Sequence, residues 1–478
     1  MASRPGTLAQ ATKINGLRIF TWFMWAVCLS ILLIIMASFV IQFVVPSPPS
    51  HMVLIKDIPL PGSLPDIYRT RTRPLAPGVA VRFDHFDFQA LDPKTHLLFI
   101  AHSGPKPARE QLINRSFNPV TDAKTDGNII VFDTQRSKVV KILNIPQVRG
   151  VVVAPDIEKV YTADGNDDII YAVDEKTFKA VPIHLQKNDG PDALEYDAAN
   201  HLIFVSNPGK PINPYKSHVR ERKNQNETVI DALTDKVIAR IPLGVDGKWG
   251  DDVGHVRYDP GLHRIFVAVQ QLPNPDDPNP NLLPPAGTAR LVAIDPVRHR
   301  VVTRLTLPDV CFTPHGLAID PQHHIAFIAC VDSDPPSLVR VDLQTMKVIA
   351  EPPSPVLLVP DMLAFDRPSQ LLYVGSAVGI SVFKEHGRQL KWLGNYSLGT
   401  GNHTVVVDNV THDLYAPVSR LGNRPVLRIL HYDAADGPRA VRTTHTPPRP
   451  GHSSAARAGR TQAQSVHSRV PSGRHIPI

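Results

Sequence analysis

Residues Gly316–Cys330 read GLAIDPQHHIAFIAC, and Ser337–Ala350 read SLVRVDLQTMKVIA. The first stretch is a short apolar run ending on Asp320, a polar turn, and a second apolar run centred on Phe327. The second stretch repeats the scheme: a run ending on Asp342, a turn, and a final run from Lys347. Runs of this length, rich in β-branched and aromatic residues and bounded by turn formers, predict strands. The unit is therefore a meander of four short strands.

The same pattern recurs seven times. The aromatic of the second strand falls at Phe99, Tyr161, Phe204, Phe266, Phe327, Tyr373 and Tyr415. The Asp seven residues before it is Asp92, Asp197, Asp259, Asp320, Asp366 and Asp408, with Ala154 standing in the second unit. Successive aromatics are 62, 43, 62, 61, 46 and 42 residues apart. A unit of about 43 residues is thus lengthened three times, by insertions at Ser103–Asn128, Pro208–Glu227 and Gln271–Ala289. Third strands such as IIVFD (Ile129–Asp133) and LVAID (Leu291–Asp295), and fourth strands such as KVIARI from Lys236, complete the units. Four strands and about 40–45 residues per repeat are the dimensions of a propeller blade. One such sheet cannot cover both of its faces, whereas radially stacked sheets cover each other. The fold expected is all-β, a seven-bladed β-propeller spanning residues 53–437.

The seventh unit supplies only three strands, Thr404–Asp408, Asp413–Ala416 and Val426–Tyr432. Its missing fourth has a candidate far upstream in Val53–Leu60, which would join the first and last blades and leave no edge open. The units from Gly316 and Ser337 resemble the YVTN-type β-propeller repeat family, in the seven-bladed form found in bacterial extracytoplasmic proteins. The likeness extends from Val53 to Asp433. It implies the fold, and leaves activity open because this architecture hosts binding proteins and enzymes alike.

Ahead of the repeats, Ile19–Val45 is 27 residues without a charge. Crossing ~30 Å of hydrocarbon takes about 20 helical residues, so the stretch predicts one transmembrane helix. It is roughly twice the apolar length of a cleaved signal peptide and ends in Val-Val-Pro rather than a small-residue site, which favours a retained anchor. Arg4, Lys13 and Arg18 precede it and Lys56 follows. This asymmetry places residues 1–18 in the cytoplasm and the propeller outside, in a single-pass protein of the cell membrane with a spacer at 46–52. The formal charge of +7 is matched by seven arginines between Pro438 and Ile478, a stretch with no acidic residue. The repeats themselves are close to neutral, so a nucleic-acid face on the propeller is not indicated. Residues 438–478 lack large apolar residues and are expected to be disordered.

Function must come from a site on this frame. Five residues before the Asp column, at the start of each innermost strand, stand Asp87, Arg149, Asp192, Gly254, His315, Asp361 and His403, with His255 beside the glycine. Symmetry would gather these positions at the mouth of the central channel, and all three insertions fall on loops of the same face. A rigid polar ring overhung by long loops is where a small-molecule or protein ligand is expected. The bland alternative is a ring that solvates the channel and hydrogen-bonds neighbouring blades. A sharper reading is a divalent metal as cofactor. His85, His255, His315 and His403 offer imidazole, and Asp87, Asp192 and Asp361 offer carboxylate; His315, His403 and Asp361 are the foremost candidates. That site requires histidines on blades four, five and seven to converge across a wide opening.

Asp164–Asp168 half-mimics a calcium loop but has Ile169 where the glycine belongs, so a hairpin turn is the simpler reading. Cys311 and Cys330 share one blade. Cys330 should face about position 314, three residues from Cys311, and an oxidising compartment permits a bridge if their Cα atoms lie within about 7 Å. No GxSxG, HExxH, P-loop or GxGxxG signature occurs. A membrane-anchored binding or scaffold module is the expectation, ahead of a lactonase-like metal-dependent hydrolase or a redox enzyme using the same face.

Overall fold

A computed structural model describes residues 51–61, 83–106, 127–213, 216–220, 225–243, 251–271, 287–350, 354–387, 389–422 and 424–433. The transmembrane segment Ile19–Val45, the spacer before it reaches His51, the link at Leu64–Val81, the middles of the three insertions and the tail after Gly437 lie outside the described residues. Every described regular element is a strand. Strands follow one another in antiparallel order within each sheet. Blade one comprises Phe83–Asp92, Leu97–Lys106, Asn128–Asp133 and Lys138–Leu143. Blades two to six repeat this arrangement, beginning at Val148, Leu194, Asp251, Pro314 and Pro360. Of the insertions, a small hairpin, Pro211–Asn213 with Lys216–Arg220, belongs to blade three.

Blade seven is closed by the start of the propeller chain. Met52–Pro59 pairs antiparallel with Arg424–Tyr432 along its whole length, from Met52 opposite Tyr432 to Pro59 opposite Val426. Arg428 grips Asp57 with two donors, Nε to Oδ1 at 3.0 Å and Nη2 to Oδ2 at 3.3 Å. The Asp433 amide then donates to the His51 carbonyl at 2.7 Å.

The largest apolar cluster among the described residues runs through blades one to four and takes in Met362 of blade six. Smaller clusters lie between adjacent blades. One joins Phe266, Leu291 and Ala293 of blade four to Leu317, Ile328 and Val341 of blade five. Another joins Ile58, Leu427 and Ile429 of blade seven to Phe86, Ile100 and Phe132 of blade one. The aromatic column, from Phe99 to Tyr415, is buried throughout. Each such ring contributes about 1.5–3 kcal/mol by leaving water, and does so only because the next blade covers it.

The Asp column holds the turns. Asp92, Asp197, Asp259, Asp320 and Asp408 each accept, through Oδ1, the backbone N–H two residues on, at 2.6–3.0 Å. Four residues beyond each column position the chain enters the left-handed region, at His96, Glu158, His201, His263, His324, Gln370 and His412, with φ between 50° and 61°. Several of these carboxylates also reach the following blade. His324 Nδ1 of blade five donates to Asp259 Oδ2 of blade four at 2.8 Å, and His412 Nδ1 of blade seven donates to Asp366 Oδ2 of blade six at 2.8 Å. Where these contacts differ, others take over: Tyr161 and Lys159 of blade two bind Asp235 of blade three at 2.6 and 2.8 Å.

Two outcomes follow from this architecture. Deleting Met52–Leu60 should leave Arg424–Tyr432 as a bare edge, lowering the melting temperature and promoting self-association on gel filtration; an unchanged melt would show that the ring does not depend on this strand. Asp259→Ala should cost on the order of 3 kcal/mol, because it removes a turn cap and strands the His324 donor. An unfolding free energy lowered by less than about 1 kcal/mol would show that the inter-blade contact carries no weight.

Candidate functional site

The innermost strands share an irregularity. In blades one, two, four, five and six the pairing with the second strand slips by one residue, leaving Asp87-Phe88, Arg149-Gly150, Gly254-His255, His315-Gly316 and Asp361-Met362 outside the regular ladder. In blade seven His403 falls between the short strands Thr400–Asn402 and Val406–Val407. Such bulges bend a strand and re-aim its side chains. Here they occur at the candidate ring positions. Gly316 is required at its bulge, since a Cβ there would collide with the Asp361 carbonyl of the next blade. At Gly254 a Cβ would stand 2.8 Å from the His315 Cα. These two glycines let blades four, five and six approach closely enough for their ring side chains to meet.

They do meet. His315 Nδ1 lies 2.9 Å from Asp361 Oδ1, and His255 Nε2 lies 3.7 Å from the same oxygen. His403 Nε2 lies 3.1 Å from Asp361 Oδ2 and 3.5 Å from Asp87 Oδ1. His85 Nε2 stands 3.9 Å from Asp87 Oδ2, with its ring 4.8 Å from that of His403. Side chains from blades four, five, six, seven and one therefore form one connected cluster around Asp361. Asp361 and His255 are buried, while His315, His403, Asp87 and His85 are partly exposed. On blades two and three, Arg149 Nη1 faces Asp192 Oδ2 at 3.9 Å, and the Arg149 side chain covers Gly165.

Electrostatics act most strongly on Asp361 and His255. Burial pushes the Asp361 carboxyl upward, but the imidazoles of His403, His315 and His255 outweigh it and hold the group well below the ordinary carboxylate range. Burial, reinforced by His315, pushes the His255 imidazole well below its ordinary value, so that ring is neutral. Phe88 packs on it at 4.7 Å between ring centroids. The cluster thus gathers several imidazole nitrogens around one ionised carboxylate, an arrangement of ligand-type atoms at one point.

Some charged neighbours of the ring lie off its column. His85 enters because it precedes Asp87 by two residues on the same strand. Glu195 and Arg257 pair at 3.5 Å across the innermost strands of blades three and four. Burial pushes the Glu195 carboxyl up to about 7, against the pull of Arg257. The signal for this pair was present, since the same column holds Ala90, Val152, Ala318, Ala364 and Val406 in the other blades.

Asp192 is held by the rim of the blade-three insertion. Its amide donates to the Ser206 carbonyl at 3.0 Å, and Ser206 Oγ donates to buried Glu227 Oε1 at 2.6 Å. Asn207 Nδ2 donates to Asn226 Oδ1 at 3.1 Å and to Thr228 Oγ1 at 2.9 Å. The Asp164 loop is a hairpin turn: its carboxylate accepts from the amides of Asn166 and Asp167 at 3.0 and 3.1 Å. Cys311 and Cys330 are disulfide-bonded with Cα atoms 5.0 Å apart, and Cys330 pairs with Pro314.

The described residues thus define a seven-bladed β-propeller with bulged innermost strands. Among solved structures, the chain is similar to Kuenenia stuttgartiensis hydrazine synthase (14% identity, TM-score 0.53, covering 74% of this chain and 99% of that one). It is also similar to the RRP9 WD40 repeats (11%, 0.51, 73% and 95%) and to a chain of a mitotic checkpoint complex (8%, 0.54, 81% and 94%). At these identities the likeness is one of fold. No family model matches the chain. No curated protein matches it in sequence. Among the described residues no helix is long and apolar enough to cross a membrane.

The rim carries a pH dependence. Burial pushes Glu227 up to about 8, opposed only by the Ser206 hydroxyl, against an ordinary value of 4.5. A raised folded-state value means that stability is full below about pH 4.5 and is lost as pH rises through about 8. Glu227→Gln, which keeps the acceptor for Ser206, should remove up to a few kcal/mol of this loss between pH 5 and 8. Parallel denaturation curves for wild type and variant across that range would contradict it.

Proposed function

We propose that this chain is a membrane-tethered, extracytoplasmic propeller of YVTN type that binds a ligand or partner protein at the mouth of its channel. The observation that carries the reading is the convergence of His255, His315, Asp361, His403, Asp87 and His85, from five blades, into one cluster on a closed ring. The ring holds these side chains rigidly, so little conformational entropy is lost when they engage a ligand. Tethering is supported by the uncharged run Ile19–Val45 and by its basic N-terminal flank. The nearly neutral repeats and the absence of a familiar catalytic signature favour binding over turnover. A second reading, a metal-dependent hydrolase of lactone-like substrates or a redox enzyme, is favoured by the richness of the cluster in imidazole.

The test uses the full-length chain, tagged and solubilised in detergent. Species retained by wild type should be identified, purified and titrated back against wild type and against Asp192→Ala/Asp361→Ala. A weakening of at least ~10-fold, about 1.4 kcal/mol, supports the assigned face. A partner whose affinity ignores the double change would show that binding occurs elsewhere.

A further inference from the structure

We propose that His255 Nε2, His315 Nδ1 and Asp361 Oδ1 form a binding site for one divalent transition-metal ion, of the zinc type, at the channel mouth. This deepens the reading above, on which it rests, by naming the class of ligand.

The donor set comes first. The ligating atoms of His255, His315 and Asp361 all lie within 4.8 Å of one another. A tetrahedral ion with bonds of ~2.0–2.2 Å sets its ligand atoms about 3.3–3.5 Å apart. The distances from Asp361 Oδ1 to the two imidazole nitrogens, 2.9 and 3.7 Å, straddle that separation. Two imidazoles and a carboxylate are ligands that zinc, iron, cobalt and nickel accept, whereas magnesium and calcium require oxygen-rich shells.

The second observation is independent of the spacing. His255 is buried to 1% exposure, yet its ring is short of polar partners among the described residues. Nδ1 is enclosed without a partner, and Nε2 stands beyond hydrogen-bond reach of Asp361. Buried polar atoms are satisfied in the great majority of cases, and an imidazole left without a partner costs about 1–3 kcal/mol. An ion bound to Nε2, the nitrogen that faces Asp361, would give this buried ring a strong polar partner.

The surroundings fit as well. His403 Nε2, 3.1 Å from Asp361 Oδ2, leaves Oδ1 to the ion and orients the carboxylate, as groups around metal ligands do. His403 is in turn placed by Asp87 at 3.5 Å. Gly254 and Gly316 hold the two histidine-bearing bulges against their neighbours, so the ligands come from rigid sheet rather than loop. Three protein ligands leave an open position for water or a ligand group, the pattern of reactive rather than purely structural zinc sites.

The experiment takes the full-length chain in detergent, strips it with a chelator, and titrates it with Co2+ and with Zn2+. Wild type should bind one equivalent, with the visible spectrum of a four- or five-coordinate Co2+ and displacement by Zn2+. His255→Asn and His315→Asn should each weaken binding by at least ~100-fold, and His403→Gln by ~10- to 100-fold. His263→Asn, at an exposed turn of blade four, should leave it unchanged. Because His315 is partly exposed, His315→Asn should keep the wild-type circular dichroism spectrum and melt, which separates lost ligation from lost folding. Failure to bind either ion, or affinity unchanged in His255→Asn and His315→Asn, overturns the metal site. If no ion binds while Asp192→Ala/Asp361→Ala still abolishes partner binding, the metal falls and the binding face stands. If the ion binds and the partner ignores the double change, the metal stands and the docking face falls.

Discussion

A four-stranded sheet of this size has two apolar faces and no way to cover them alone. That constraint organises the molecule. Each face is buried against the next blade, and the arrangement is complete only when the last blade also has a neighbour. Pairing of Met52–Pro59 with Arg424–Tyr432 therefore does more than add a strand. It turns a stack with two exposed ends into a ring whose every interface is internal, secured by the two-donor grip of Arg428 on Asp57.

The ring in turn explains the site. Sheets that splay outward converge at the axis, where the innermost strands crowd one another. Bulges at the same place in five blades relieve the regular ladder there and free their side chains from its alternation. Glycine at positions 254 and 316 permits the close approach. A cluster drawn from five sequence-distant segments is thereby held with the rigidity of the sheets. Asp361 sits at its centre because it belongs to the blade between those carrying His315 and His403.

Much of this was legible in the chain. The Asp and aromatic columns are visible because turns and interfaces repeat the same physical demand in each blade: a carboxylate to cap the turn, a ring to fill the gap. The closing strand could be read because Val53–Leu60 shares the pattern of other fourth strands. The ring positions could be read because symmetry places them. Their convergence could not, since it depends on one-residue slips in pairing that leave no mark on spacing, and on how near His255 comes to Asp361 once Gly254 has let the strands close. The Glu195–Arg257 pair could not be reached from the ring column, because it stands two residues before the Asp column rather than five.

The hydrogen bond from the Asp433 amide to the His51 carbonyl, 2.7 Å long, has a topological meaning. It brings residues some four hundred positions apart to the same corner of blade seven. The order in which the blades are threaded is therefore separable from the order in which they stand. A circular permutant with His51 and Asp433 joined by a short linker and cut in a turn within another blade would retain every sheet, with that blade completed from both ends of the chain.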